Sequence, residues 1–129
     1  MPLQIRSEVK SDNTFKMSLA EVDMPTPGDD EVVIRIEATP INPSDLALLI
    51  GPADMSSAKA SGSAESPIVT ADIPASMMAA QAPRLDKSLP VGNEGAGVVV
   101  AAGKSEQAQA LLGKVVSAAG GAMYSQYRA

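Results

Sequence analysis

The sequence predicts a mainly β domain: a partly open β-barrel with a few short helices and one long insert loop. Three observations point there. Residues 2–38 carry repeated period-two alternation of apolar and polar side chains. The run Val98-Val99-Val100-Ala101-Ala102 is short, apolar and rich in β-branched residues, as a buried strand is. No segment among the first strands has the length of a helical crossover, so antiparallel pairing through short loops is expected.

The elements follow in order. Leu3, Ile5 and Val9 alternate with polar neighbours, and so do Phe15, Met17 and Leu19, with Ser11-Asp12-Asn13 as the turn between them. Pro25-Thr26-Pro27-Gly28-Asp29-Asp30 is a longer break. Val32, Ile34, Ile36 and Ala38 form the clearest alternating run, with Arg35 and Glu37 on the other face. Two prolines keep Thr39 to Asp45 out of any regular strand, and Ser44 or Asp45 is suited to cap a single helical turn.

Residues 51–89 differ in composition. Ala, Ser, Gly and Pro fill 22 of these 39 positions, so the segment reads as a long loop. One short helix is expected inside it, from Pro74 through Ala82, closed by Pro83. Beyond it, Ser105 is placed to cap a helix reaching Leu112. Ala108, Leu111 and Leu112 would share one face, and Gly113 would be the stop. Lys114–Ala118 reads as a strand, Gly120-Gly121 as a turn, and Ala122–Arg128 as the last strand.

Composition narrows the chemistry. The chain has 129 residues, the size of one domain. Hydrophobic residues make up 45%, but 21 of them are Ala and only Phe15, Tyr124 and Tyr127 are aromatic. The core therefore rests on Val, Ile, Leu and Met, and a core that thin points to apolar surface buried against something else. There is no His and no Cys. Zinc, haem and iron–sulfur sites rely on those residues, so no metal site is expected. Ser-His-Asp and Cys-His catalysis cannot be assembled. The net charge of −5 and the scattered Lys and Arg point away from nucleic acid. No apolar run approaches the ~20 residues that span a bilayer, and no signal peptide opens the chain. The expectation is a soluble cytoplasmic protein that does not engage membranes.

Four stretches, taken in order, carry more. They are Pro25-Thr26-Pro27-Gly28-Asp29-Asp30-Glu31-Val32-Val33-Ile34-Arg35-Ile36, then Ile41-Asn42-Pro43-Ser44-Asp45, then Pro90-Val91-Gly92-Asn93-Glu94-Gly95-Ala96-Gly97-Val98-Val99. The last is Leu112-Gly113-Lys114-Val115-Val116, followed by Gly121-Ala122-Met123-Tyr124-Ser125-Gln126-Tyr127. Together they resemble the N-terminal, GroES-like domain of medium-chain dehydrogenases/reductases, most closely the zinc-independent quinone oxidoreductase branch. The resemblance covers the chain except residues 51–89. It implies that residues 1–129 are the substrate-side domain of a longer NAD(P)H-dependent enzyme. That enzyme would pass hydride from NADPH or NADH to a quinone or enone, with a Rossmann domain as partner. The chain alone is expected to be inactive and to bind neither nucleotide. Its open flank is expected to drive self-association as a homodimer.

Three departures from that family bear on the reading. Zinc-dependent members carry a Cys where Asn42 stands and a His where Asn93 stands, and a neutral amide is a poor zinc ligand. The 51–89 segment is longer than the family's, and in relatives it lies beside the substrate cleft. The nucleotide-binding half is not within these residues. Gly95-Ala96-Gly97 begins a G-x-G-x-x-G pattern, but Val100 takes the third glycine position and the surroundings read as strand, not a strand-to-helix turn.

The resemblance also nominates residues. Asn42 is the candidate for catalysis and cofactor contact, since its amide can hold a ribose hydroxyl or a carboxamide without adding charge. The alternative is that Asn42 satisfies backbone groups in a proline-bounded turn. Asp45 is a candidate for cleft chemistry or, alternatively, a cap. Asn93, Glu94 and Tyr124 are candidates for the substrate cleft. Each has a structural reading beside it: a backbone-bonded turn, a paired carboxylate, a half-buried strand Tyr. A rival function is a non-enzymatic GroES-like binding module. It rests on Ile68-Val69-Thr70, which resembles the apolar tip of a co-chaperonin's mobile loop.

Overall fold

The computed structural model describes all 129 residues. The elements are β1 (Leu3–Lys10), β2 (Thr14–Glu21), β3 (Val32–Ala38), α1 (Pro43–Leu49), β4 (Asp54–Gly62), β5 (Pro67–Asp72), β6 (Leu89–Pro90), β7 (Glu94–Ala102), α2 (Glu106–Gln109), β8 (Val115–Ala119) and β9 (Tyr127–Arg128). Two 3-10 turns, Ala75–Met77 and Ala79–Arg84, lie between β5 and β6. The chain is mainly β, as the alternation predicts. The strands form two antiparallel sheets, ordered β4-β5-β2-β1-β6 and β8-β7-β3-β9, and no closed barrel. No helix is long and apolar enough to cross a membrane.

The chain divides into two compact units. The first comprises Met1–Gln4, Glu21–Ile41 and Gly92–Ala129. Its centre is the β3–β7 pair. Val33, Ile34 and Val99 are buried there. Burial of the adjacent Val33 and Ile34 means that β3 is covered on both faces at that level, which strict alternation does not predict. The pairing slips at the same place, from Val33↔Ala101 to Ile34↔Val99, leaving Val100 as an extra, exposed residue on β7. A second slip, from Ile36↔Gly97 to Ala38↔Ala96, makes Glu37 the extra residue on β3. Between these bulges the two backbones come so close that a Cβ at Gly97 would overlap the Arg35 carbonyl.

Two expectations in this unit are shortened. The helix after Ser105 spans only Glu106–Gln109; the Ser105 hydroxyl caps it by accepting from the Ala108 N–H at 3.1 Å. Ala108 is buried but Leu111 and Leu112 are exposed, and Gly113 turns the chain at φ +77°. The last strand is Tyr127–Arg128 rather than Ala122–Arg128, because Ala122 adopts φ +64° and breaks the extended run.

The second unit comprises Ile5–Ala20 and Asn42–Val91. Its core is Val9, Phe15, Ala71 and Ile73, with Met17, Ile50, Ala53, Met78 and Leu85 packed around it. The 51–89 segment corrects the sequence reading. It is not a long loop: it holds a hairpin in which β4 pairs with β5 and β5 pairs with β2. The reason lies in β5. Ala71 on β5 and Ile73 just past its end are buried with Phe15 and Val9, so an apolar anchor sits inside a stretch whose average composition is polar and small. The helix expected from Pro74 to Ala82 is instead the two 3-10 turns, and Pro83 lies within the second rather than after it. α1 is longer than one turn, with Asn42 as its N-cap and Pro43 at its first position.

Candidate functional site

An open cleft of about 550 Å³ lies within the first unit. Three chain segments build it. β3 ends at Ala38 because Pro40 cannot continue the ladder, and Thr39-Pro40 turns away to form one wall. The start of β7 contributes Glu94, Gly95 and Ala96, and the end of β8 contributes Ser117, Ala118 and Ala119. Register sets the floor. Ala38 pairs with Ala96 and Ala96 with Ser117, so these three stand in one row on one face. Glu94 opposite Ala119 forms the next row on that face. The cleft is thus a shallow floor of methyl groups, edged by one carboxylate and the hydroxyls of Thr39 and Ser117. Its volume lies within the range that accepts small organic ligands.

Tyr124 is bonded to one wall of this cleft. It is buried, and its hydroxyl donates to the Pro40 carbonyl at 3.1 Å, fixing the wall. It does not line the cleft. Gly92 makes room for it: at φ +101°, a Cβ there would come within 2.6 Å of the Tyr124 amide nitrogen. Asn93 is exposed, and its carbonyl accepts from the Gly120 N–H at 2.8 Å, holding the β7–β8 end together.

Asn42 and Asp45 meet at the N-terminus of α1 in the second unit. The Asp45 carboxylate accepts from the Asn42 N–H at 2.8 Å, and the pair forms a reciprocal capping box. Asp45 is 2% exposed, so its carboxylate is an internal anchor of the helix. The sequence places the cap at Ser44 or Asp45; the N-cap is instead Asn42, because Pro43 takes the first helical position, and Asp45 stands at the third, where its carboxylate closes the box. The helix is tied down at its other end by Arg84, which donates to the Leu48 carbonyl at 3.1 Å and the Ser7 hydroxyl at 2.8 Å. Burial lowers the Arg84 pKa, but a guanidinium remains charged at neutral pH.

Of the three residues that the resemblance places in the substrate cleft, Glu94 lines this one, and Asn93 and Tyr124 do not. Sequence reasoning did not single out Thr39, Pro40, Ser117 or Arg84. The proline after the alternating run marked where β3 must end, and that was the available signal for Pro40. Ser117 could be placed only through the β7–β8 register.

Gly95-Ala96-Gly97 lies wholly within β7, whose residues pair with β3 and β8. No helix begins there, so these residues do not fit a pyrophosphate. Ile68-Val69-Thr70 lies in β5 with strands on both sides, opposite Ser18-Met17-Lys16 and Ser61-Ala60-Lys59. A segment paired on both edges is not a mobile loop. No family model matches the chain, and no curated protein matches it.

Proposed function

We propose that this chain is the GroES-like, substrate-side domain of an NAD(P)H-dependent, zinc-independent reductase acting on quinones or enones. One observation carries the reading. Of the four stretches that resemble the family, the third lines the cleft through Glu94-Gly95-Ala96, and the fourth fixes its Pro40 wall through Tyr124. The floor of Ala38, Ala96 and Ser117 suits a flat ring, which can lie against methyl groups without displacing a bulky side chain. The Thr39 and Ser117 hydroxyls are the neutral donors on hand for a ring carbonyl. Glu94 disfavours ligands that carry a negative charge.

The nucleotide belongs to the Rossmann domain that the resemblance implies, and no residue of this chain is assigned a step of hydride transfer. Asn42 and Asp45, the proposed catalytic pair by resemblance, enter this reading as the residues that cap α1.

The test is a titration of the labelled chain with 1,4-naphthoquinone, followed by amide chemical shifts. With no Cys present, the probe has no thiol to arylate. Saturable shifts at Glu94–Ala96 and Ser117–Ala119 are expected. Shifts scattered over the chain, or none, would overturn the assignment of the cleft. A parallel titration with NADPH is expected to show no binding, and micromolar affinity would refute the division of labour between the two domains.

A further inference from the structure

The outer face of the five-stranded sheet presents a second polar feature, and it does not depend on the reading above. Phe15 and Ala71 point into the core, so their neighbours in sequence point out. On that outer face Lys16 on β2 stands directly opposite Thr70 on β5, and Lys59 on β4 stands directly opposite Thr70 from the other side. Two ammonium groups therefore flank one hydroxyl across three adjacent strands. Their backbones are two strand spacings apart, roughly 10 Å, and each lysine has a long flexible stem, so both can converge above Thr70. Neither lysine takes part in the Arg35–Glu37 ion pair.

One step along the same face lies the row Thr14, Asp72 and Asp54. Thr14, Ser57, Lys59, Thr70, Ala71 and Asp72 line a depression of about 160 Å³, the space of roughly five waters. The polar groups there are not equivalent. The Ser57 hydroxyl is already used, donating to the Asp54 carbonyl at 2.6 Å and accepting from the Asp72 N–H at 2.8 Å. Asp54 is occupied by Ser56, and Thr14 donates to Asp12. The lining groups left to meet a ligand are Lys59 and the Thr70 hydroxyl as donors, with the Asp72 carboxylate as an acceptor; Lys16 does not line the depression and reaches it only by extending across Thr70 from β2.

We propose that this depression binds a tetrahedral oxyanion that also carries a hydrogen-bond donor: hydrogen phosphate, or a phosphomonoester with a neighbouring hydroxyl. The two ammoniums and Thr70 take the oxyanion, and Asp72 accepts from its P–OH or from the adjacent hydroxyl. Sulfate has the same shape and no donor at neutral pH, so Asp72 repels it. The net charge of −5 opposes any anion at long range, and salt screens that opposition. A selective response at physiological ionic strength therefore reports the local arrangement.

The experiment is an amide chemical-shift titration of the whole chain at constant ionic strength. Its arms are inorganic phosphate, glycerol 3-phosphate, sulfate and chloride. Saturable shifts at Lys59, Thr70 and Asp72 are expected with phosphate or glycerol 3-phosphate, and which of the two binds more tightly identifies the source. Lys59→Gln and Lys16→Gln should each weaken binding about tenfold, the loss of one charge-assisted hydrogen bond. Asp72→Asn should remove the preference over sulfate while the fold, checked by circular dichroism, is unchanged. Equal responses to phosphate, sulfate and chloride, or no saturable shift at these three residues, would overturn the proposal.

Discussion

Strands β3 and β7 pair with each other and bury Val33, Ile34 and Val99. Strands β4 and β5 also pair antiparallel, yet every residue of β4 except Ser57 is exposed. The first pair is held by apolar burial as well as by its hydrogen bonds. In the second, burial belongs to β5 alone, where Ala71 packs with Phe15, and β4 is held by the ladder to β5 and by the Ser57 hydroxyl, which accepts from the Asp72 N–H. Similar ladders can thus rest on different physics, and they should fail differently when perturbed. Apolar burial scales with area and dominates a core, whereas a solvated ladder hydrogen bond contributes only about 1 kcal/mol net.

The largest expected effect comes from the residue on which β5 rests. Phe15 is fully buried, with Val9, Ala71 and Ile73 around it. Phe15→Ala should cost about 3–5 kcal/mol in urea unfolding followed by far-ultraviolet circular dichroism, since the chain has no Trp to report by fluorescence. The amides of β4 should lose protection together with those of β5. If β4 stayed protected in the variant, its dependence on β5 would be refuted.

Next in size is a change on the other side of the comparison. Gly97→Ala places a methyl group where the Arg35 carbonyl stands, in the narrow gap between the two bulges. The expected loss is about 1–3 kcal/mol, read as a lowered melting temperature. The β3–β7 amides should exchange faster while those of β4 and β5 do not. A neutral outcome would mean that the bulges relax freely, and that close approach of the backbones is not what requires glycine there.

α1 resembles β4 more than β3 in how it is stabilised. Its buried residue is Asp45, a carboxylate, rather than a Leu. Its ends are held by the capping box and by Arg84 on the Leu48 carbonyl. Asn42→Ala should therefore cost about 1 kcal/mol, whereas Asn42→Ser, another good N-cap, should cost only a few tenths. The pair of variants also separates two roles. If Asn42 serves α1 alone, Ser restores whatever Ala removes, in stability and in any activity of the longer reductase proposed above. If its amide also meets the cofactor, Ser restores stability and not activity.

These elements differ in how far they can be read from sequence. β3 is legible because Val32, Ile34 and Ile36 alternate with charged neighbours, but its bulges are not, because they depend on which β7 residue stands opposite. A helix start near residues 42–45 is legible from its prolines and capping residues, but the cap falls on Asn42 rather than on Ser44 or Asp45, because Pro43 occupies the first helical position. β4 is not legible: Ser, Ala, Lys and Gly on an edge strand have no alternation to display, and only pairing with β5 makes them extended. The cleft falls between these cases. Glu94 lies in a motif that resembles a known family, whereas Ser117 enters only through a register that no local pattern encodes.

The smallest expected effect has the opposite sign. Ala60 lies opposite Val69, which in turn lies opposite Met17, so the row is apolar until it reaches β4. Ala60→Val extends that row by one β-branched side chain and should add about 0.2–1 kcal/mol through the cross-strand pair. The gain should appear first as slower amide exchange in Lys59–Gly62, because local opening of an edge hairpin costs less than global unfolding. Slower exchange there would mean that β4 is marginal for want of apolar pairs. Unchanged exchange would place the weakness in the turn joining the strands, where Gly62 holds φ +80° and a Cβ would collide with the Ser66 carbonyl.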